Sequence, residues 1–153
     1  MDANTYNRYR IIISDSRCKC IEANGKRGKG FLYPDTSGKL PKLYIVKHDK
    51  EIYYVGITSQ HIRERLRYGF SAKGEHGYYG YKWKGLDSIE LLIWSFPDST
   101  KDHVEAIEAE LVYFVRAKTG QWPKYQMEIH FHGASEQERQ IAESILSKCL
   151  EEM

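Results

Sequence analysis

No apolar run among the 153 residues approaches the ~20 residues that a membrane-spanning helix needs. The run Ile11-Ile12-Ile13 is also too short for the core of a signal peptide, so we expect a cytoplasmic protein without a membrane partner. The sequence lacks both the glycine-rich phosphate loop of nucleotide hydrolases and the Gly-x-Ser-x-Gly elbow of serine hydrolases. These absences argue against a membrane-spanning protein, a secreted protein, a nucleotide hydrolase with a phosphate loop and a serine hydrolase with that elbow.

Cysteine is also scarce. Cys18, Cys20 and Cys149 cannot all pair with one another, and the first two are too close together for the two-pair spacing of a structural zinc site. We therefore expect free thiols. Cys149 lies on an apolar stripe of the last predicted helix, where it should behave as a small buried hydrophobic residue.

Charge, by contrast, is plentiful and unevenly distributed. Residues 1–50 carry 11 Lys and Arg against 5 Asp and Glu, whereas residues 101–153 carry 6 against 10. The basic first third indicates a face for a polyanion, although a charge run is more often only a solvated surface. The residues concerned are Arg8, Arg10, Lys26, Arg27 and Lys29.

Two short runs rich in β-branched and aromatic residues predict a β-hairpin. They cover residues 42–47 and 51–56 and are separated by the polar His48-Asp49-Lys50. Residues 88–94 predict a third strand that is apolar enough to be central. Residues 127–131 are a candidate for a further short strand.

Three helices complete the pattern. The first helix is predicted over about 60–68, capped by Thr58 or Ser59. The second begins at Ser99 or Asp102, runs to about residue 118 and is closed by Gly120. The last is opened by the capping box Ser135 and Glu138. This order predicts an α+β domain, in which helices pack on a small antiparallel sheet formed by the hairpin and the third strand. We expect residues 41–153 to form one compact unit. Residues 1–40, basic and rich in turn-forming residues, predict a loop-rich extension.

Helix geometry singles out Glu108 on the second helix. At about 100° per residue, Glu108 lies roughly 50° from the centre of the apolar stripe, whereas Glu105 and Glu110 lie roughly 110° away. The outer two carboxylates need only solvent. An unpaired carboxylate that faces the core is costly, so Glu108 either pairs with an Arg or Lys or holds a metal ion.

A set of spaced motifs resembles the GIY-YIG nuclease superfamily. Lys42-Leu43-Tyr44 is followed, after nine residues, by Tyr54-Val55-Gly56, and Arg65 comes nine positions after that glycine. Glu108-Ala-Glu-Leu111-Val112 then lies on a helix after the third strand. The first motif keeps only the tyrosine, whereas the second matches closely. The resemblance covers about residues 40–126, and its specificity comes from four motifs in the right order.

The resemblance implies a DNA endonuclease that depends on Mg²⁺ or Mn²⁺. Tyr44, with Tyr54, would take the proton from the attacking water, and Arg65 would donate to the nonbridging phosphate oxygens. Glu108 would hold the metal ion, with water and phosphate as the other ligands. A phenol with a pKa of ~10 is only about a thousandth ionised at pH 7, so Arg65 and the metal must lower that pKa.

Secondary candidates surround these four residues. His61, four positions before Arg65, is a candidate for proton transfer, and Arg63 is a further candidate on the same helix. Many members of the superfamily carry an asparagine after the glutamate helix. This chain has Gln126 at that point, which is expected to substitute, with Glu128 or His130 as alternatives.

A glycine-rich stretch, residues 77–84, interleaves aromatic residues with lysines. Tyr81, Lys82 and Lys84 are therefore candidates for stacking on bases or contacting phosphates, and a packed aromatic loop over the sheet is the alternative. His130 and His132 alternate along the candidate strand. Two histidines can begin a zinc site, but no further cysteine or histidine lies at ligand spacing, so zinc is the minority interpretation.

Two other classes remain open: a nucleic-acid-binding module of the same fold with weak or no cleavage, and a protein-interaction domain that shares only the fold. The tyrosines, arginine and glutamate favour the nuclease. The sequence leaves the oligomeric state, monomer or homodimer, undecided.

Overall fold

The computed structural model describes residues 6–15, 17–24, 26–27, 30–31, 38–72, 74, 80–126, 129 and 131–151. The elements in this part of the chain are β1 (Asn7–Ser14), β2 (Arg17–Ala23), β3 (Lys26–Arg27), β4 (Lys42–His48), β5 (Glu51–Thr58), α1 (Ile62–Ser71), β6 (Ser88–Ser95), α2 (Lys101–Thr119) and α3 (Glu136–Glu151). A single 3₁₀ turn, Lys82–Gly85, precedes β6.

The strands form one antiparallel sheet in the order β3-β2-β1-β6-β4-β5. The predicted hairpin is β4 and β5, and the predicted third strand is β6, which lies between β1 and β4. The α+β class is confirmed. The sheet is larger than predicted, since the described residues form six strands where the sequence indicated a hairpin and a third strand.

Strands β1 and β2 correct the prediction of a loop-rich extension for residues 1–40. In β1, Tyr9, Ile11 and Ile13 are buried, whereas Arg8 and Arg10 are exposed. This alternation is that of a strand with one face on the core. The charged residues on the outer face and the turn-forming residues that follow conceal it in the sequence. Residues 32–37, which carry part of the predicted loop, lie outside the described residues, and the division of the chain at residue 40 stays a prediction.

Each face of the sheet has its own hydrophobic core. Leu43 and Ile45 of β4 point to the face covered by α2 and α3. Tyr44 and Val46 point to the opposite face, which is covered by α1 and the segment that contains Tyr81. Because successive residues of a strand face opposite sides, β4 is a buried strand that belongs to both cores.

The helix ends were predicted only in part. Helix α1 is capped by His61, whose Nδ1 accepts a hydrogen bond from the Arg63 backbone N at 3.1 Å, so the prediction of Thr58 or Ser59 was wrong. Helix α2 is capped by Thr100 rather than by Ser99 or Asp102, and it ends before Gly120 as predicted.

The capping box of α3 is confirmed. The Glu138 backbone N donates to Ser135 Oγ at 3.2 Å, and the Ser135 backbone N donates to Glu138 Oε1 at 2.9 Å. The three cysteines are free, and Cys149 is buried as expected. The candidate strand at 127–131 falls mainly on residues 127, 128 and 130, which lie outside the described part of the chain. Among the described helices, none has both the length and the apolar character to cross a membrane.

Lys42 is an unusual member of the core, because its side chain is fully buried at the start of β4. Its Nζ donates to the Leu40 carbonyl oxygen at 2.6 Å. Burial lowers the pKa of Lys42 from 10.5 to about 8, since desolvation penalises the ammonium form. The folded protein therefore releases this proton at a lower pH than the unfolded chain does.

This difference predicts a pH-dependent stability. The stabilisation that comes from a neutral Lys42 is fully present above pH 10.5 and is lost as the pH falls through about 8. The free energy of unfolding of the wild type, relative to that of Lys42→Met, should therefore increase as the pH rises from 7 to 10. Urea unfolding of both proteins at several pH values measures this. Parallel stability profiles would show that Lys42 keeps an ordinary pKa in the fold.

Candidate active site

Tyr44 lies in the middle of β4 and is fully buried. Its partner across the sheet is Gly56 of β5. A Cβ atom at position 56 would lie 2.5 Å from Tyr44 Cζ, 2.6 Å from Tyr44 Oη and 2.8 Å from Tyr54 Cε2. The glycine of the second motif is therefore the space into which both tyrosine rings pack.

Tyr54 lies on β5, the edge strand beside Tyr44. The centroids of the Tyr44 and Tyr54 rings are 6.0 Å apart, and those of the Tyr54 and Tyr81 rings are 5.6 Å apart. The Tyr44 hydroxyl also lies 2.9 Å from that of Tyr81, and a hydrogen bond joins Tyr54 to Tyr44. The three hydroxyl-bearing rings form a single cluster, which we call the tyrosine cluster.

Arg65 reaches the tyrosine cluster from α1. Its Cζ lies over the Tyr81 ring at 4.8 Å from the centroid, and its side chain is half-buried. The neighbouring arginines differ: Arg67 is exposed and forms a 3.5 Å ion pair with Glu64, and Arg63 is exposed near Gly30. The arginine chosen from its spacing is thus the one that contacts the tyrosine cluster.

The electrostatics of Tyr44 are dominated by its burial. Desolvation raises the pKa of Tyr44 well above 10.0, and Tyr81 raises it further, whereas the positive charge of Arg65 and the hydrogen bond from Tyr54 lower it. Arg65 is near enough to lower the pKa of Tyr44, as the resemblance implied, but burial raises that pKa by more. A phenolate at this position therefore needs more positive charge than the side chains supply.

Glu108 is buried on α2, with 5% of its surface exposed. Glu105 and Glu110 are only partly covered, and Glu110 forms an ion pair with Arg139 of α3 at 3.9 Å. The burial agrees with the helical projection. Helix α2 packs on the face of the sheet opposite to the tyrosine cluster, and it contacts β5, the strand that carries Tyr54.

A different group of residues has the spacing of a metal site. In the described residues, Asp102, Glu105 and His132 place one ligand atom each within 4.8 Å of one another. His132 Nε2 lies 2.9 Å from Asp102 Oδ1, and its Nδ1 lies 2.7 Å from the Gly133 carbonyl oxygen. The bonds to Gly133 and Asp102 raise the pKa of His132, because both favour the protonated ring. A ring that donates from both nitrogens is not in the form that binds a metal. His130 lies outside the described residues.

Gln126 closes the outer edge of β5. Its Oε1 accepts from the Val55 backbone N at 2.9 Å, and its Nε2 donates to the Val55 carbonyl oxygen at 3.1 Å. The backbone of the preceding residues adds bonds from Lys124 N and Tyr125 N to the carbonyl oxygens of β5. This side chain satisfies an exposed strand edge beside Tyr54. Its substitution for the asparagine of the superfamily stays a prediction, and Glu128 lies outside the described residues.

His61 lies outside the first helix rather than on its face. Its Nδ1 is occupied as the cap of α1, so only Nε2 is available for proton transfer. A role of His61 in proton transfer stays a prediction.

Two residues proposed for nucleic-acid contact have structural positions instead. Tyr81 is buried, with 4% of its surface exposed, so its ring cannot stack on bases. Lys84 Nζ donates to the Ala72 carbonyl oxygen at 2.8 Å and ties the 3₁₀ turn to the end of α1. Lys29 and the side chains of Lys26, Arg27 and Lys82 lie outside what the structure describes.

The sequence did not indicate that Tyr81 belongs to the tyrosine cluster. The signal that could have found it is Gly69, a glycine inside helix α1, because an interior glycine often marks a close approach. A Cβ atom there would overlap the Tyr81 ring. The contact joins residues 37 positions apart along the chain, from Tyr44 to Tyr81.

Comparison with known proteins identifies the family of this chain. The family model described as GIY-YIG catalytic domain matches residues 42–123, which is more than half of the 153 residues and includes Tyr44, Tyr54, Arg65, Tyr81 and Glu108. Neither the curated proteins nor the solved structures contain a match to the chain. Its motifs, its antiparallel sheet with three helices and its match to the family model together assign the chain to the GIY-YIG catalytic domain family, and with it to the nuclease-type fold of that family.

Proposed function

We propose that this chain is a divalent-metal-dependent DNA endonuclease that hydrolyses phosphodiester bonds. The observation that carries the proposal is the position of Arg65, which is half-buried over the Tyr81 ring of the tyrosine cluster, while Arg63 and Arg67 on the same helix are exposed. A proton acceptor and a fixed positive charge are what the pentacoordinate phosphate of such a reaction requires.

Arg65 would stabilise the negative charge that develops on the nonbridging oxygens. Its planar guanidinium can donate two parallel hydrogen bonds to a phosphate, which a lysine ammonium cannot do in the same fixed geometry. The Tyr81 ring lies under the guanidinium, with Arg65 Cζ 4.8 Å from the ring centroid, and supports its position.

Tyr44 would accept the proton of the attacking water, with Tyr54 donating a hydrogen bond that stabilises the resulting phenolate. The hydrogen bond from Tyr54 and the charge of Arg65 both lower the pKa of Tyr44, although burial holds it well above 10.0 in the protein alone. The acceptor role therefore needs additional positive charge at the site when substrate is bound.

Glu108 would hold the divalent ion, Mg²⁺ or Mn²⁺. Its helix, α2, lies on the other face of the sheet and contacts β5, the edge strand that carries Tyr54. A buried carboxylate is a hard oxygen ligand that suits Mg²⁺, which commonly takes one or two protein carboxylates and completes its shell with water and phosphate. When bound, such an ion supplies the positive charge that polarises a phosphate oxygen and stabilises a leaving oxygen.

Substitution of each of the three arginines of α1 tests the catalytic role proposed for Arg65. Arg65→Ala should lower the rate of nicking of a supercoiled plasmid by about 10²–10³-fold, the usual effect of losing a donor that stabilises developing charge. Arg67→Ala removes an exposed arginine from the same helix and should change the rate far less, as should Arg63→Ala. Equal, small effects of all three substitutions on the rate would contradict a catalytic Arg65.

The role of Tyr44 predicts a pH dependence. Only the phenolate accepts a proton, and the raised pKa of Tyr44 makes the phenolate rare at neutral pH, so the cleavage rate should climb about tenfold per pH unit between about pH 6 and 9. Tyr44→Phe removes one hydroxyl and keeps the ring that packs on Gly56. It should abolish most cleavage while leaving the melting temperature nearly unchanged. A Tyr44→Phe protein with the wild-type rate and pH profile would assign the base to another group.

A further inference from the structure

Tyr81 touches two groups of the proposed site at once. Its hydroxyl lies 2.9 Å from the Tyr44 hydroxyl, and its ring lies under the Arg65 guanidinium. Tyr44 comes from the sheet and Arg65 from α1, so Tyr81 contacts side chains of both elements.

The position of Tyr81 is fixed on every side. Its backbone N donates to the Gly69 carbonyl oxygen at 3.0 Å, and its ring occupies the space that the missing side chain of Gly69 leaves on α1. The ring also stacks on Trp83, with centroids 4.4 Å apart and an interplanar angle of 21°. Phe70 lies at its edge, 6.1 Å away. Such a ring has one orientation, and so has its hydroxyl.

Packing alone does not explain the hydroxyl. A phenylalanine would fill the same space beside Trp83 and Gly69, whereas a buried hydroxyl is costly unless it is hydrogen-bonded. The bond to Tyr44 meets this cost and also restricts the orientation of the Tyr44 hydroxyl.

We propose that Tyr81 is a positioning residue for hydrolysis, whose hydroxyl orients the Tyr44 hydroxyl and whose ring holds the plane of the Arg65 guanidinium. This inference rests on the proposed nuclease function. Tyr81 touches neither water nor phosphate in this role and acts through its two neighbours. The groups that face the Tyr44 hydroxyl are then Tyr54 from β5, Arg65 from α1 and Tyr81 from the segment before β6.

The Tyr44 hydroxyl lies between the two other hydroxyls of the tyrosine cluster. It is hydrogen-bonded to Tyr54 and, at 2.9 Å, to Tyr81, and either oxygen can be the donor in the second bond. The hydrogen bond with Tyr81 raises the pKa of Tyr44 and the one with Tyr54 lowers it, so the two neighbours act on the Tyr44 proton in opposite directions.

Tyr81→Phe removes the hydroxyl and keeps the ring, so it tests the contribution of the hydroxyl alone. Under single-turnover conditions with saturating protein, the variant should cleave supercoiled plasmid about tenfold more slowly, the effect of one lost hydrogen bond on a transition state. Its affinity for a fluorescent DNA duplex and its melting temperature should stay at the wild-type values, as should all three quantities in the matched control Tyr113→Phe, which lies exposed on α2. A wild-type rate in Tyr81→Phe, or a loss of rate explained by weaker binding or unfolding, would overturn the proposal.

A double variant tests whether Tyr81 acts through Tyr44. Because both hydroxyls belong to one unit, Tyr44→Phe combined with Tyr81→Phe should cleave no more slowly than Tyr44→Phe alone. A further tenfold loss in the double variant would mean that the Tyr81 hydroxyl acts independently of Tyr44.

A third measurement does not depend on cleavage. In protein labelled with ¹³C at tyrosine Cζ, the Tyr44 resonance, assigned with Tyr44→Phe, should shift in Tyr81→Phe and stay in place in Tyr113→Phe. An unmoved Tyr44 resonance overturns the inference even where the wild type cleaves DNA. Conversely, a wild type that cleaves no DNA contradicts the proposed function, while a shifted resonance would still establish the coupling of the two hydroxyls.

Discussion

The tyrosine cluster depends on the absence of a side chain at Gly56. The rings of Tyr44 and Tyr54 occupy the position that a Cβ atom would take, at 2.5 and 2.8 Å from it. Real Cβ atoms do not approach so closely, so any other residue at this point of β5 would push the rings apart. The Tyr44 hydroxyl would then move out of hydrogen-bonding distance of the Tyr81 hydroxyl.

The edge strand β5 links this cluster to the opposite side of the sheet. It carries Tyr54 and Gly56 on one face, and it is contacted by α2, the helix of Glu108, on the other. Its outer edge is closed by the side chain of Gln126. Contacts on both faces and at the outer edge of β5 keep the strand in register. This register places Gly56 opposite Tyr44.

Local sequence patterns predicted the structural features that depend on residues close together in the chain. The hairpin follows from two β-branched and aromatic runs, the capping box of α3 from Ser135 and Glu138, and the burial of Glu108 from its angle on the helix. Arg65 could be distinguished from Arg63 and Arg67 only by its spacing from the second motif, since all three alternate with helix-forming residues in the same way.

The rest depends on contacts between distant segments. Strands β1 and β2 were missed because their outward charged residues and neighbouring turns resemble a loop when the partner strands are unknown. His61 caps α1 with a ring nitrogen, which is a less common cap than the hydroxyl of Thr58 or Ser59. Tyr81 lies in a segment without periodicity, and its role follows only once the space at Gly69 is seen.

Metal-dependent cleavage is the claim on which the account depends most. Purified wild-type protein is incubated with supercoiled plasmid in Mg²⁺ or in excess chelator, and Glu108→Gln, with its fold checked by circular dichroism, is assayed in Mg²⁺. The account predicts that the wild type nicks and linearises the plasmid in Mg²⁺ only, and that Glu108→Gln leaves it supercoiled. Equal cleavage in chelator, wild-type cleavage by Glu108→Gln, or an intact plasmid with the wild type in Mg²⁺ would contradict it.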